Sequence, residues 1–198
     1  EAQGYISIDS LVFYRDQAKL EIDQFLVTAS GNSETEDRKI EIKSDLLNGS
    51  VDGPTSFITI GKSFKNLVHQ YLPALLPTSD IKPSQTNNFK FQFKINNTEA
   101  ISDILKLPVV LYEPATIDGY YNDKDDKFSL AIETPWIKAG GMKIRSGSVH
   151  AQTENNNLTS SIKAQIEGKN QIQNIVSINS SAKDDEIRTT IDLINNSK

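Results

Sequence analysis

The chain has 198 residues, no cysteine and a formal net charge of -5. The length allows one elongated domain or two small ones. The lack of cysteine excludes disulfides and thiolate metal ligands. An acidic balance without a basic stripe argues against nucleic acid as a partner and against charge-driven binding to an anionic membrane. A hydrophobic content of 37% is low for a globular domain and favours a thin architecture with much surface per residue.

Neither a membrane helix nor a secretion signal is visible in the sequence. No apolar run approaches the roughly 20 residues that a membrane helix needs, and no signal peptide precedes Glu1. Because the sequence opens and closes on strand-like residues without an obvious cap, we expect this chain to be a segment of a longer protein, with any membrane anchor outside it.

Residues 1–61 are predicted to form an N-terminal β region. Apolar and polar side chains alternate over 11–14 and 20–27 around a polar tip at 15–17, which indicates a hairpin. Two shorter alternating pieces follow at 40–42 and 57–60.

Two turn signals lie between those shorter pieces. Asn48-Gly49-Ser50 and Asp52-Gly53-Pro54 are both rich in residues that favour turns. We expect a turn at each of them.

Residues 62–77 are predicted to form an amphipathic helix. Ser63 is the predicted N-cap, and Pro73 should kink or end the helix. Apolar side chains recur on one stripe and must cover something apolar, most simply one end or one open face of a sheet. This candidate plug or gate consists of Phe64, Leu67, Val68, Tyr71, Leu72 and Leu75.

Residues 78–198 are predicted to form a β repeat region that opens with a polar loop. Its clearest strand alternates Phe89, Phe91, Phe93 and Ile95 with polar side chains. A second short helix is predicted to start after Thr98 and to end before Pro108. Its apolar stripe is Ile101, Ile104 and Leu105.

The rest of this region repeats a unit of strand, polar tip and strand. One hairpin is predicted with its tip at 153–157 and another with its tip at 180–185. Gly140-Gly141 should form a turn, and Pro135 should bend or end the strand that reaches Ile132.

Residues that could carry chemistry are few. His69 and His150 are the only histidines, and each is expected at the surface or half-buried. A loop of Asn and Asp at 122–126 suggests calcium at first sight, but Phe128 stands where a calcium loop of the EF-hand type needs glycine. With no catalytic triad, nucleophile elbow or phosphate loop, we expect neither enzyme activity, nor a metal, nor a cofactor.

Three segments resemble the C-terminal region of the TamB proteins, in the AsmA-like superfamily of bridge-type lipid-transfer proteins. They are Ile117-Asp118-Gly119-Tyr120-Tyr121-Asn122 followed by Phe128-Ser129-Leu130-Ala131-Ile132, the short helix Thr98-Glu99-Ala100-Ile101-Ser102-Asp103-Ile104-Leu105, and Pro135-Trp136-Ile137-Lys138-Ala139-Gly140-Gly141-Met142-Lys143-Ile144. The resemblance is best from about Phe89 onwards.

The resemblance implies a mostly β fold with two short helices, in which an elongated antiparallel or mixed sheet folds lengthwise into a U-shaped groove, a β-taco. It implies the periplasmic part of an inner-membrane-anchored protein of a Gram-negative bacterium. The partners would be phospholipid acyl chains and an Omp85-type outer-membrane protein. The activity would be phospholipid transport between the two membranes, or help in outer-membrane protein assembly and secretion, without catalysis.

The residues expected to line such a groove are the apolar positions of the alternating strands. They are Phe89, Phe91, Phe93, Ile95, Phe128, Leu130, Ile132, Leu158, Ile162, Ile166, Ile187, Ile191 and Leu193. Alternation alone does not distinguish an open groove from the closed core of an ordinary β-sandwich.

Two other functions fit the same pattern. A surface-exposed β-sandwich would bind glycan or protein through aromatic side chains, for which the candidates are Tyr112, Tyr120, Tyr121 and Trp136. A spacer or chaperone would instead pair client strands with exposed sheet edges.

Overall fold

The computed structural model of the chain describes residues 2–32, 38–55, 60–74, 87–167 and 173–196. Over these residues the chain forms twelve β-strands and two α-helices. The strands are β1 (Ala2–Arg15), β2 (Ala18–Gly31), β3 (Arg38–Ser44), β4 (Leu47–Asp52), β5 (Asn88–Ile95), β6 (Val109–Leu111), β7 (Ala115–Asn122), β8 (Lys127–Ala139), β9 (Met142–Glu154), β10 (Asn157–Glu167), β11 (Gln173–Lys183) and β12 (Glu186–Asn196). The helices are α1 (Ile60–Tyr71), between β4 and β5, and α2 (Glu99–Leu105), between β5 and β6.

All twelve strands belong to one antiparallel sheet. Its order is β1-β2-β3-β4-β5-β7-β8-β9-β10-β11-β12, with β6 beside the far half of β8. The sheet does not close on itself, so β1 and β12 are its two edge strands. This is the predicted mostly β architecture with two short helices. The alternative of a closed β-sandwich made of two sheets is wrong.

The hairpin tips lie at two opposite ends of the strands, because successive strands run in opposite directions. We call the end with the tips at 123–126, 155–156 and 184–185 the lower end. The upper end has the tips at 16–17 and 140–141, among others. The predicted Gly140-Gly141 turn is confirmed, and both residues have the positive φ angles, 53° and 84°, that suit a two-residue hairpin.

The sheet curves around α1. Ser63 contacts Asp123 at the end of β7, while Tyr71 contacts Asp185 just after β11. Ser63 and Tyr71 are about 12 Å apart along the helix axis, whereas β7 and β11 would lie about 19 Å apart in a flat sheet. The concave side therefore faces α1, as in a sheet folded lengthwise into a U.

The limits of α1 differ in part from the prediction. The helix begins at Ile60, so Ser63 lies inside it and is not the N-cap, and Ile60 is not in a strand. It ends at Tyr71, before Pro73, as predicted. Leu75 and the predicted strand residues 57–59 lie outside the described residues.

The turn predicted at Asn48-Gly49-Ser50 is wrong, because these residues lie within β4. The ring of Phe93 on the neighbouring strand lies so close to Gly49 that a Cβ there would overlap it. Glycine at this position gives room for an aromatic side chain. The chain reverses at 45–46 instead, and the bend at Gly53-Pro54 is confirmed.

Pro135 was predicted to bend or end the strand, and it does not end it, because β8 continues to Ala139. Thr134 is paired with Gly147 and Trp136 with Arg145, but Pro135 and Ser146 between them are not paired. Ser146 has a positive φ of 61°. Pro135 lies where the neighbour of β8 changes from β7 to β6. A missing N–H is tolerated at such a point.

Helix α2 begins and ends close to the prediction but differs in detail. Thr98 precedes it without capping it, since the Thr98 hydroxyl accepts from the Leu111 N–H at 2.9 Å. The Asn97 side chain accepts from the Glu99 N–H instead. Ile104 is buried against β2, whereas Leu105 is mostly exposed and does not belong to the buried stripe.

Candidate functional site: an apolar row across the open sheet

One row of side chains crosses the whole sheet at mid-height. Residues directly opposite one another on paired strands point to the same face, so the register defines rows. Ten of the eleven positions of this row are branched aliphatic or aromatic, and the eleventh is a glycine beneath the Phe93 ring. The central row, from β1 to β12, is Ile6, Val27, Ile42, Gly49, Phe93, Ile117, Ile132, Val149, Ile162, Ile178 and Ile191.

The central row is apolar without being a core. None of its eleven residues is buried, and none belongs to either of the two buried clusters found among the described residues. It carries no charged side chain. A closed core would bury such residues almost completely, so the row forms an accessible apolar strip along the concave side of the sheet.

All thirteen residues predicted to line a groove lie on this same face, which we call the apolar face. Phe93, Ile132, Ile162 and Ile191 belong to the central row. Phe89 and Phe128 are buried under α1, and three others pack against the same cluster: Phe91, Leu130 and Leu158. The remaining four are Ile95, Ile166, Ile187 and Leu193.

Sequence reasoning missed the other six apolar members of the central row. Ile42 and Ile6 stand in short alternating segments, and this signal was available. Val27 directly follows Phe25 and Leu26, and this run of apolar residues hides its alternation. The six residues are Ile6, Val27, Ile42, Ile117, Val149 and Ile178.

Helix α1 covers the lower part of the apolar face. Leu67, Tyr71 and Leu72 form its buried contact with the sheet, and Val68 packs at the side. Phe64 is partly exposed and stacks on Tyr121, with ring centroids 5.6 Å apart. The predicted helix stripe, as far as it is described, thus does cover an apolar sheet face.

Buried polar contacts hold the start of α1 to the lower end of the sheet. The Asp123 carboxylate accepts from the Asn87 backbone N–H at 2.9 Å and from the Ser63 hydroxyl at 3.3 Å. The Asn87 side chain donates to the Ser63 oxygen at 3.0 Å. Asn87 and Ser63 are both almost fully buried, so removing this carboxylate would leave buried donors unpaired.

A second polar contact holds the other end of α1. The Asp185 N–H donates to the Tyr71 carbonyl, and the Asp185 carboxylate accepts from the Ala74 N–H, both at 3.0 Å. This satisfies backbone groups that a helix end leaves unpaired. The helix is thereby anchored at the tips of two different hairpins.

Tyr121 lies beneath α1 and is about 1% exposed. Burial, followed by the nearby Asp123 carboxylate, raises the pKa of Tyr121 to about 12, because both disfavour the phenolate. Desolvation also raises the pKa of Tyr71. Both tyrosines are neutral at physiological pH and act as apolar packing with one polar tip.

Over β9 to β12 the opposite face of the sheet is mostly polar, apart from the pair Ile175 and Ile194. Over β9 to β12 one of its rows consists of His150, Ser161, Asn179 and Thr190. His150 is exposed and lies 3.0 Å from the Glu133 carboxylate. The sheet therefore has one apolar face and one mostly polar face, as the alternation of residues predicted.

The aromatic residues proposed as a glycan platform do not form one. Trp136 is stacked on Tyr112, with ring centroids 4.3 Å apart, and Arg145 lies 4.3 Å from the Trp136 ring centroid. Tyr112 follows β6 and Arg145 is on β9, on opposite sides of β8, so both faces of the indole are covered. Tyr121 is buried under α1, and its neighbour Tyr120 points to the opposite face.

The acidic loop at 122–126 is a hairpin tip. The Asn122 side-chain oxygen accepts from the N–H groups of Lys124 and Asp125, which is an Asx-type turn. In the described part of the chain, no three acidic or histidine side chains come together as metal ligands would.

Neither described helix has the length and apolar character needed to cross a bilayer. Comparison with protein-family models, with curated proteins and with solved structures finds no match to this chain.

Proposed function

We propose that this chain is a non-enzymatic segment of a TamB-like lipid conduit, and that acyl chains of phospholipids travel along its apolar face. The observation that carries the proposal is the central row: an accessible, uncharged, apolar strip that crosses eleven strands of one open sheet. The resemblance of 117–132 and 135–144 to TamB proteins supports the same assignment.

The physical basis is the cost of exposing hydrocarbon to water. Each exposed CH₂ group costs about 0.8 kcal/mol, so a phospholipid tail does not cross an aqueous gap unaided. A strip of apolar side chains lowers that cost along its whole length. It needs no catalytic group and no specific polar contact.

In this proposal the chain lies in the periplasm of a Gram-negative bacterium, with its anchor in the inner membrane. An Omp85-type outer-membrane protein would be its partner at the far end. Helix α1 would act as a plug or gate, because it covers Phe89, Tyr121 and Phe128 and leaves the central row uncovered.

The experiment is native mass spectrometry with lipid extraction on the chain purified from bacterial cells. Two variants on β10 form a matched pair: Ile162→Asp places a charge in the central row, and Ser161→Asp places one on the opposite face. Ile162 is 38% exposed, so the substitution should leave the fold intact, which circular dichroism would check.

We expect co-purified phospholipid in the wild type and in Ser161→Asp, and its loss in Ile162→Asp. A lipid-free wild type that also excludes added fluorescent phospholipid would overturn the proposal. Equal loss of lipid in both variants would overturn the assignment to the central row.

A further inference from the structure

Helix α1 is held to the sheet by different kinds of polar contact at its two ends. At its start the contacts are buried, because Ser63 and Asn87 are 1% and 0% exposed and both donate to the Asp123 carboxylate. At its end the contact is with Asp185, an exposed residue in the tip at 184–185. The attachment at the end is therefore the one that water reaches.

The apolar contacts of α1 are concentrated towards the same end. Leu67, Tyr71 and Leu72 lie in the second half of the helix or directly after it, and all three are buried in the cluster beneath it. Phe64, in the first half, is 38% exposed. Ala182 on β11, three residues before Asp185, belongs to the same buried cluster. Lifting the end of α1 would thus uncover mainly apolar surface.

These two kinds of contact respond differently to an apolar ligand. Apolar burial has no direction, so hydrocarbon from another molecule can replace Leu67, Tyr71 and Leu72 as the cover of the sheet. A buried hydrogen bond needs a polar partner, and an acyl chain has none to offer to Ser63 or Asn87. An acyl chain can therefore displace the end of α1 but not its start.

The contact at Asp185 is of a kind that breaks readily. The hydrogen bond from the Ala74 N–H to the Asp185 carboxylate is exposed to solvent. The carboxylate also lies beside the C-terminal end of α1, where the helix dipole places partial negative charge. The contact can hold α1 against the sheet and still open far more easily than the whole fold unfolds.

We propose that α1 is a hinged lid, whose start stays fixed to Asp123 while its end leaves Asp185 and swings away from the sheet. Opening uncovers Tyr121, Phe128 and Leu158, which lie two rows below the central row on the same face. The accessible apolar strip then becomes wider towards the lower end. That acyl chains enter the widened strip rests on the proposed function, whereas the motion of α1 does not.

Thiol labelling measures this motion, because the chain contains no cysteine of its own. Ala182→Cys places a thiol beneath α1, and Ala115→Cys places one at the upper end of β7, outside both buried clusters. The two alanines are similarly buried, at 7% and 3% exposed. A thiol reagent reaches position 182 whenever the lid opens, so labelling should be at least about tenfold faster there than at position 115. Urea unfolding checks that both variants keep the stability of the wild type.

Two glycine substitutions in one hairpin tip form a matched pair. Asp184 and Asp185 have φ angles of 50° and 64°, which glycine adopts readily, so neither substitution weakens the turn. Asp185→Gly removes the carboxylate that accepts from the Ala74 N–H. It should raise the labelling rate at position 182 by about three- to tenfold, as expected for one exposed hydrogen bond, and leave position 115 unchanged. Asp184→Gly is the control and should change neither rate, since Asp184 makes no hydrogen bond to α1 among the described residues.

Equal labelling rates at positions 182 and 115 would overturn the proposal, because α1 would then open only when the whole fold unfolds. Equal acceleration by the two glycine substitutions would overturn the role of Asp185, and so would no acceleration by Asp185→Gly. A lid that opens in a chain that excludes phospholipid would leave this inference standing and would overturn only the lipid proposal.

Discussion

Phe128 on β8 and Ile191 on β12 have the same position in the alternation of their strands and point to the same face, yet Phe128 is 6% exposed and Ile191 is 67% exposed. The difference comes from α1, which lies over the lower part of β5 to β11 and leaves β12 uncovered. Alternation decides which face a side chain takes. Coverage by another element decides whether that side chain becomes part of a core.

The same difference separates the central row from the residues beneath α1. Leu130 and Ile132 are two positions apart on β8, but only Leu130 packs against the cluster around α1. The molecule therefore contains a small core and an accessible apolar strip on one face of one sheet. Three comparisons test whether covered and uncovered positions of this face contribute differently to stability.

The largest effect is expected from truncating a covered side chain. Phe128→Ala removes a ring that packs against Phe64 and the buried cluster, and should lower the free energy of unfolding by about 3–5 kcal/mol. Ile191→Ala, at an uncovered position of the same face, should cost less than about 1 kcal/mol. Urea unfolding of both variants measures the difference. Similar losses would mean that β12 is covered in solution.

A smaller effect is expected from filling the space at two glycines of one row. Gly4 and Gly119 lie in the row next to the central row. A Cβ on Gly119 would overlap the Phe91 ring, whereas a Cβ on Gly4 would meet nothing. Gly119→Ala should cost about 1–3 kcal/mol through overpacking, and Gly4→Ala should stay within about 0.5 kcal/mol. Thermal unfolding of the pair checks this, and equal melting temperatures would contradict it.

The smallest effect is expected at high pH, from Tyr121 beneath α1. Its pKa in the folded state is about 12, above the ordinary value of 10.0. In the unfolded chain the phenol ionises first, so the stability that this group contributes is fully present below about pH 10 and is lost as the pH rises through about 12. The loss at about pH 11 should be about 1.4 kcal/mol.

Tyr121→Phe is the control, since it cannot ionise at this position. The unfolding free energy of the wild type should fall relative to that of the variant between about pH 8 and about pH 11. A difference that does not change with pH would mean that Tyr121 is not covered as described.

Much of the sheet could be predicted because hairpins are local. The Gly140-Gly141 turn and the Phe89 to Ile95 strand depend on neighbours in the sequence, which alternation and turn residues reveal. So does the hairpin predicted with its tip at 180–185, although β11 continues to Lys183 and the tip is only 184–185. The same reasoning placed all thirteen candidate residues on one face, because a strand's side chains alternate wherever the strand lies.

The errors arose where a distant strand overrides a local preference. Asn48-Gly49-Ser50 favours a turn, but the Phe93 ring on the next strand holds Gly49 in β4. Pro135 favours a break, but β6 replaces β7 as the neighbour of β8 at that point. Ser63 looked like a helix cap, but its hydroxyl is used by Asn87 and Asp123 inside the fold.

By itself, the sequence determined the class of fold: a series of antiparallel hairpins with one apolar and one polar face, and two short helices. These are consequences of spacing along the chain, which acts locally. Only the tertiary structure decided that the sheet stays open, that α1 lies across its lower end, and that the central row stays accessible. Those features depend on contacts between residues far apart in sequence, such as Ser63 with Asp123 and Tyr71 with Asp185, and no local pattern encodes them.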